Sequence, residues 1–458
     1  MQLNMNFTDS NPLKERLESA EFIYLLEYEL PSHEENLAAI YDNINGICEY
    51  IKNNRNISAV SLTDRMPALD ALDPVDLASK ISARSGIDPV IHLAGKGFDK
   101  DSIKDRLATI SSNGVNNILA VSGDYDKSFE KYTDSVDIIL SARKNHPNML
   151  IGAAVNPYKY TVNDSYGQYL KMVRKINAGA DYIITQIGWD MKKLQELLLF
   201  NRMREINVPV IARLSLITEE DCNQITNLSL HQGVSVSREF ASQIQRELSS
   251  TPQFMATQLK RLCLQIIGCS MLGYSGVQIC GLKTSDEVKT VMETAASMMN
   301  EFRTFTEWAT EWKQFHHGVE MVTPPYTFYM FKNLMKFKTN YEIDDEFKLA
   351  EASFDESTFT QRFKNKLASS LGVENKTGIS GKILKSLLTG SSDDGSYDLS
   401  KTQYQSISKC PKRLYHGPCG GSQLNGNCEI GSEPCIHNLR ISLAAENNEL
   451  DKLENPDE

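Results

Sequence analysis

Carboxylate side chains end the first apolar run of the chain, and their spacing could support acid chemistry. Glu27 and Glu29 close the run that begins at Phe22, and the alternation of side chains along a strand would place both on one face. Two carboxylates beside an apolar strand are costly unless they are paired, solvated or functional. They are therefore candidate general acids, and carboxylates at a solvated rim are the alternative interpretation.

Three further apolar runs carry polar residues at or near their ends. His92 lies within one run, Ser122, Gly123 and Asp124 follow another, and Gln186 ends a third. Small residues with exposed backbone N–H groups could receive a phosphate or a planar heterocycle. An amide offers two donors and an acceptor, which suits the edge of a pterin or flavin. The structural alternatives are a satisfied core histidine, an ordinary turn and a strand-end cap.

The elements that must position these residues follow from the periodicity of the sequence. Eight β-branched runs alternate with amphipathic helical patterns, and eight such units in about 260 residues favour an α/β fold of the (β/α)₈ TIM-barrel type. An open doubly wound sheet is the alternative that periodicity leaves. Catalytic residues of such barrels lie at the C-terminal ends of the strands. The predicted strands are Phe22–Glu29, Ala59–Leu62, Pro89–Leu93, Asn117–Val121, Leu150–Val155, Tyr182–Gln186, Pro209–Arg213 and Gly276–Leu282.

Four segments, in the same order along the chain, resemble the methylenetetrahydrofolate reductase family. Residues 175–186 (KINAGADYIITQ) are similar to its K-x-x-A-G-A-D-x-x-I-T-Q signature, and residues 113–124 (NGVNNILAVSGD) to its G-I-x-N-I-L-A-L-x-G-D strand. Residues 90–93 (VIHL) and 27–31 (EYELP) resemble its strand with an H-L pair and its E-F-F-P-P entry. The resemblance implies flavin-dependent reduction of 5,10-methylenetetrahydrofolate to 5-methyltetrahydrofolate.

The resemblance also implies a role for each candidate residue. Glu27 corresponds to the family's acid, with Glu29 as a rival, and an apolar barrel interior would supply the raised pKa that an acid needs at neutral pH. Asp124 would hold flavin and pterin in register, and Gln186 would hydrogen-bond the pterin. The positions that match flavin contacts are Thr63, His92, Ser122, Gly123, Asp124 and Lys175, the last as a phosphate partner.

Two departures from the family pattern leave the cofactor open. Ser122 stands where the family often has Arg, and residues 156–159 (NPYK) replace its Y-P-E-x-H pattern. FAD is favoured over FMN, and the expected electron donor is NAD(P)H or reduced ferredoxin. The alternative function is a flavin-free tetrahydrofolate-binding protein that transfers a methyl group to a corrinoid or methyltransferase partner, or a subunit of a C1 complex.

A cluster of four cysteines forms a separate feature near the C-terminus. The cysteines are separated by eight, eight and six residues, which is not the C-x-x-C spacing of common zinc fingers. Glycine-rich turns and few large apolar residues favour a segment stabilised by metal over reduced loop thiols. The segment resembles the cysteine-rich methylenetetrahydrofolate reductase C-terminal domain, which implies zinc, with an iron–sulfur cluster as the competing interpretation. The predicted ligands are Cys410, Cys419, Cys428 and Cys435, with His416 and His437 as spare candidates.

Composition constrains the remaining predictions. The net charge of -11 argues against a nucleic-acid partner. No apolar run reaches the roughly 18–20 residues that span a bilayer, and no signal peptide is evident, so a cytoplasmic protein without membrane contact is expected. The sequence leaves open whether the protein forms a homo-oligomer.

The predicted organisation is a flavin and folate barrel (1–300), a helical extension and linker (301–400), a four-cysteine zinc domain (401–445) and an acidic tail of frayed helix or disorder (446–458).

Overall fold

The computed structural model of the protein describes most, but not all, of the chain. Residues 322–353, about a third of the predicted helical extension and linker, and linker residues 392–396 lie outside the described residues. The described residues are 11–19, 21–30, 37–54, 56–63, 73–227, 230, 232–319, 321, 354–391 and 397–454.

Eight parallel strands close into a barrel in chain order, which confirms the TIM-barrel prediction. Each of the eight predicted strands overlaps one of them. Closure brings Gly276 against Ile23, where a Cβ on the glycine would lie 2.2 Å from the Ile23 carbonyl oxygen, so a side chain would block the seam. The strands are β1 (Ile23–Tyr28), β2 (Ile57–Leu62), β3 (Val90–Ala94), β4 (Asn117–Val121), β5 (Leu150–Val155), β6 (Tyr182–Thr185), β7 (Val210–Ser215) and β8 (Gly276–Cys280).

Helices surround the barrel and continue beyond it. Several begin at an Asp or Thr whose side chain accepts a backbone N–H of the first turn, as at Asp73, Asp134 and Thr161. None of the helices in the described ranges is long and apolar enough to cross a membrane. The helices are α1 (Pro12–Glu18), α2 (Leu37–Asn53), α3 (Pro74–Ser85), α4 (Lys100–Ser112), α5 (Ser135–Asn145), α6 (Val162–Asn177), α7 (Met191–Met203), α8 (Glu219–Thr226), α9 (Arg238–Leu248), α10 (Thr251–Leu272), α11 (Ser285–Met299), α12 (Phe305–Phe315), α13 (Phe359–Ser370), α14 (Gly378–Thr389), α15 (Ile436–Glu446) and α16 (Leu450–Glu454).

The two ends of the barrel differ in how they are filled. Helix α1 buries Leu13 and Leu17 in one cluster with Ile23 and Leu25 of β1 and with inward residues of other strands. This cluster lies at the start of the strands, so α1 closes the N-terminal end of the barrel. The polar candidate residues described above lie at the opposite end of the barrel, at or near the C-terminal ends of the strands.

Residues 397–454, here called the C-terminal module, pack against helix α6 of the barrel. The Asn163 side chain donates 2.9 Å hydrogen bonds to the Asn438 carbonyl and to the Ser442 hydroxyl. Asn438 in turn donates to the Asp164 carboxylate at 2.9 Å. These groups are buried, so the polar face of α6 is an interface between barrel and module and not a solvated surface.

A buried ion pair lies at the centre of this interface. Lys171 of α6 lies 3.1 Å from the Asp134 carboxylate, and both side chains are 3% exposed. The Lys171 ammonium also donates to the Gly417 carbonyl at 3.1 Å, while the His416 backbone N–H donates to Asp134 at 3.3 Å. The module thus completes the hydrogen bonding of a charge pair that the barrel alone would leave partly unsatisfied.

The acidic tail is better ordered than the sequence predicts. Residues Leu450–Glu454 form a helix, and Leu453 is buried in a cluster with Tyr166 and Ile441. The Leu453 carbonyl accepts a hydrogen bond from Arg174. The expectation of frayed helix or disorder is therefore wrong for residues 446–454, because one apolar side chain anchors the segment to α6.

The buried ion pair predicts a large effect of mutation on stability. Lys171→Met should lower the free energy of unfolding by about 3–5 kcal/mol, because Asp134 would keep a buried charge without its partner. The matched control is Lys104→Met, which removes an exposed ion pair with Asp101 and should cost at most about 1 kcal/mol. Urea unfolding of the two variants measures the difference, and equal small losses would contradict the interface described here.

Candidate functional site

The C-terminal ends of the strands open into a cavity of about 780 Å³. This volume is in the range of small-molecule sites, roughly 300–1,000 Å³. The structure brings all but one of the predicted catalytic and cofactor-binding residues, together with one predicted metal ligand, to this one cavity, here called the mouth cavity. Those that line it are Glu29, Thr63, His92, Ser122, Gly123, Asp124, Lys175, Gln186 and Cys419.

Glu27 is the exception, because it lies beneath the cavity in the barrel interior. Its carboxylate is 2% exposed and forms a two-pronged ion pair with Arg213 of β7, whose Nε donates to Oε2 at 2.6 Å. Gln278 of β8 donates to the same oxygen at 2.5 Å, and the Cys280 thiol lies 3.3 Å from it. Glu27 is thus fixed by four hydrogen bonds, and Glu29 is the exposed carboxylate that borders the cavity.

The expectation of a raised pKa for Glu27 is wrong for the described structure. Burial by itself would raise the pKa, but the Arg213 guanidinium, together with His92 and the hydrogen bonds, holds it at about 2. The sequence argument considered the apolar barrel and missed the cation that pairs with the acid. Glu27 is therefore an ionised carboxylate here, and it can donate a proton only if Arg213 moves away.

Arg213 links the acid to the predicted pterin contact. Its Nη1 donates to Gln186 Oε1 at 3.0 Å, and the Ile187 backbone N–H donates to the same oxygen at 2.9 Å. The Gln186 amide is thereby fixed with its oxygen engaged by the protein. Arg213 was not among the predicted site residues, although a charged residue inside the apolar strand 209–213 was a signal that could have found it.

His92 lies between the cavity and the Glu27 network. Its Nε2 is 2.6 Å from the Ser61 hydroxyl, and burial lowers its pKa to about 4. The imidazole is therefore neutral at pH 7. A neutral ring on the cavity wall can pack against a planar ligand without adding a positive charge.

Lys175 is a buried cation without a carboxylate partner among the described residues. Its ammonium donates to the Ala154 carbonyl at 2.6 Å, and burial together with the nearby charge of Lys171 lowers its pKa to about 7. A ligand anion would stabilise the protonated form. This arrangement fits the predicted contact to a phosphate.

Gly123 shapes the turn after β4. Its φ of +80° favours glycine, and a Cβ there would lie 2.9 Å from the Lys96 Cβ. The preceding Ser122 accepts a 3.2 Å hydrogen bond from the Ser135 backbone N–H, which ties the turn to α5. The following Asp124 is exposed at the rim, where it can reach a ligand.

The four predicted metal ligands border a second, smaller cavity of about 240 Å³. His437 borders it too, and its Nε2 is buried without a hydrogen-bond partner in the described chain, whereas His416 pairs with Asp137 at 3.5 Å. Across the described ranges, however, no three His, Cys, Asp or Glu side chains are arranged as a metal site. The cysteines therefore converge on one cavity without forming a coordination geometry.

The C-terminal module also lines the mouth cavity, which the sequence did not predict. Lys412, Cys419, Gly420, Gly421 and Glu429 all border it. No signal in the sequence marks this contact, because it joins residues more than 240 positions apart across the fold.

Polar and charged side chains at the C-terminal mouth of a closed eight-stranded barrel define a TIM-barrel protein with an enzyme-type site. The family model described as methylenetetrahydrofolate reductase matches residues 12–296, more than half of the chain. The chain therefore belongs to the methylenetetrahydrofolate reductase family. A second model, described as methylene-tetrahydrofolate reductase C terminal, matches residues 395–458, which confirms the resemblance of the module.

Individual relatives are distant. A probable methylenetetrahydrofolate reductase (NADH) of Oryza sativa subsp. japonica is 23% identical over 228 residues, 43% of this chain and 36% of the relative. Methylenetetrahydrofolate reductase 2 of Schizosaccharomyces pombe is 26% identical over 155 residues, 30% of this chain and 24% of the relative. The matched regions thus span about a third or less of these curated relatives.

One solved structure from Clostridium thermocellum is described as an uncharacterized protein that binds two copies of 5-methyl-5,6,7,8-tetrahydrofolic acid. It is 15% identical, with a TM-score of 0.49 over 63% of this chain and 100% of that chain.

The neutral His92 predicts a specific loss of stability in mild acid. Its folded-state pKa of about 4 lies below the ordinary value of 6.5, so the unfolded chain takes up the proton first and stability falls as the pH drops below 6.5. When the pH is lowered from 7 to 5, the free energy of unfolding should fall in both proteins. The fall should be smaller in His92→Gln than in the wild type, by on the order of 2 kcal/mol. Urea unfolding at both pH values measures this, and identical pH dependence in the two proteins would refute it. His316, whose pKa is also lowered to about 4, is kept in both proteins.

Proposed function

We propose that this chain reduces 5,10-methylenetetrahydrofolate to 5-methyltetrahydrofolate with a flavin bound in the mouth cavity. The observation that carries the proposal is the convergence of Asp124, Lys175 and Gln186, which match the family's motifs, on one cavity of suitable size. Membership of the family supports the same reaction. FAD is the proposed form of the flavin, and NAD(P)H or reduced ferredoxin is the proposed electron donor.

The residues of the mouth cavity fit a flavin. Gly123 keeps the turn after β4 free of a side chain, and Lys175 offers a buried ammonium to a phosphate. The neutral His92 and the apolar residues Leu119 and Ile184 provide walls for a planar ring. A bound flavin would supply the hydride chemistry, while the protein binds and orients the reactants.

The chain's own residues would orient the folate and deliver the proton. Gln186 and Asp124 would hold the pterin, and Glu27 would protonate the folate bridge. Because Arg213 bonds both Gln186 and Glu27, a pterin that engages Gln186 would compete for Arg213 and weaken its hold on Glu27. The pKa of Glu27 would then rise in the complex, which is the condition for an acid at neutral pH. Glu29, at the cavity edge, is the rival proton donor.

The C-terminal module would bind one zinc ion. Four thiols and the unpartnered His437 nitrogen surround one cavity, and this donor set suits zinc or an iron–sulfur cluster. We favour zinc, with the thiols drawn together on binding. The role of the metal would be structural, or it would form part of a docking site for an electron donor or a methyl acceptor.

A flavin-free methyl-transfer protein is the second candidate function. Residues 156–159, which depart from the family pattern, are engaged by the module, because Asn156 donates to the Gly420 carbonyl at 2.7 Å. Ser122 is likewise engaged within the protein, by Ser135. If these contacts displace the flavin, folate binding would survive without it.

An absorption spectrum of the purified protein, with metal analysis on the same sample, tests the proposed function. We expect oxidised-flavin bands that reductant bleaches and methylenetetrahydrofolate restores, and one zinc per chain. A colourless protein that binds folate and cannot be loaded with flavin would support methyl transfer instead. A broad brown band with iron would show that the module carries a cluster.

Substitution of the two carboxylates identifies the proton donor. We expect Glu27→Gln to lower kcat by about 10²–10⁴-fold, the usual contribution of a general acid, while Glu29→Gln retains most activity. Steady-state rates with saturating methylenetetrahydrofolate measure both. A large loss in Glu29→Gln alone would reassign the acid to Glu29.

Arg213→Met should move the alkaline limb of the kcat profile, where activity falls as the acid ionises, to higher pH, because it removes the cation that lowers the pKa of Glu27.

A further inference from the structure

One wall of the mouth cavity is built by the C-terminal module, which is hydrogen-bonded to the barrel at this wall. The Asn156 side chain donates to the Gly420 carbonyl, and the Lys159 ammonium donates to the Ser422 carbonyl at 2.6 Å, both in buried positions. The turn of the module that contains Gly420 and Gly421 is thereby fixed against the loop after β5.

A buried ion pair lies on this wall, and one of its carboxylate oxygens has no hydrogen-bond partner in the described chain. Lys412 and Glu429 are 2.6 Å apart, and their side chains are 3% and 4% exposed. The pair accounts for Oε1 of Glu429, whereas Oε2 is buried without a hydrogen-bond partner in the described chain. A Cβ on Gly421 would lie 1.7 Å from Oε2, so only glycine allows the carboxylate to lie there.

A second unsatisfied group comes from the barrel side of the same wall. Gln168 of α6 is 5% exposed, borders the mouth cavity, and has no partner for its Nε2 group within the described ranges. Its Oε1 would lie 3.4 Å from a Cβ on Gly420. Gln168 and Glu429 therefore flank two consecutive glycines in the cavity wall, one with an unsatisfied buried donor and the other with an unsatisfied buried acceptor.

A buried polar group without a hydrogen-bond partner destabilises a folded protein, so two such groups in the wall of one cavity call for a ligand. We propose that Gln168 and Glu429 form a subsite that binds a ligand group able both to donate and to accept a hydrogen bond. Lys412 is the positioning residue that orients Glu429. Hydroxyls of a flavin ribityl chain and the amide of a folate both have this chemistry. The identity of the ligand rests on the proposed function.

The test is ligand titration of the full-length chain with FAD, FMN and 5-methyltetrahydrofolate separately. Gln168→Met keeps the length of the side chain and removes the donor. We expect about 5–10-fold weaker binding of flavin or folate, with an unchanged or higher melting temperature, because no protein hydrogen bond of Nε2 is lost. A loss confined to flavins assigns the subsite to the ribityl chain, and a loss confined to folate assigns it to the folate amide.

Asn201→Leu is the matched control. Asn201 of α7 is 4% exposed, its two amide atoms have no partner in the described part of the chain, and it does not line the mouth cavity. The control variant should not weaken binding. Glu429→Gln should weaken binding of the same ligand as Gln168→Met, provided that its circular dichroism spectrum shows a folded chain.

The two proposals fail in different ways. If the wild type binds flavin or folate and Gln168→Met binds them equally well, the subsite is overturned and the proposed function stands. If the wild type, freed of bound ligand, takes up none of the three compounds, the proposed function is overturned together with the subsite.

Discussion

The ion pair between Glu27 and Arg213 is the interaction on which the candidate site depends. A carboxylate in the interior of a barrel must be paired, and the partner comes from β7, with Gln278 and Cys280 of β8 completing the set. Glu27 therefore finds its hydrogen-bond partners only when β7 and β8 close the barrel against β1, so barrel closure determines whether Glu27 is ionised. The same guanidinium donates to Gln186, directly after β6, so a ligand that contacts Gln186 would also change the hydrogen bonding of Glu27.

The second determining feature is the polar face of α6. Outer helices of TIM barrels usually present such a face to water, yet here Asn163, Asp164, Gln168 and Lys171 are buried under the module. Asn163, Asp164 and Lys171 form hydrogen bonds with the module, so neither part has a complete interface without the other. The module is in this sense a structural layer of the barrel, and it supplies one wall of the cavity as well.

Much of the fold and of the site follows from the sequence for a physical reason. Strands that are apolar over their whole length and alternate with amphipathic helices have few ways to bury both faces, and the parallel arrangement brings the residues after each strand to one end. Asp124 and Gln186 could be placed in this way, whereas Lys175, which lies in α6, was assigned through the family resemblance. Arg213 as the partner of Glu27 could not be placed, because pairing across the barrel depends on register between distant strands. The sequence could not predict that the polar face of α6 contacts the module either. A buried polar helix face and a solvated one have the same spacing of polar residues in the sequence.

The order of the parts along the chain has a consequence for biosynthesis. The Asn156–Gly420 contact joins residues 264 positions apart, and the barrel strands all precede the module. On the ribosome the barrel can therefore close while the polar groups of α6 still face water, and the cavity lacks one wall until the module docks. Contacts of such long range form slowly. The nascent protein would thus pass through a stage with a closed barrel but an incomplete cavity, which is completed only after the module has been made.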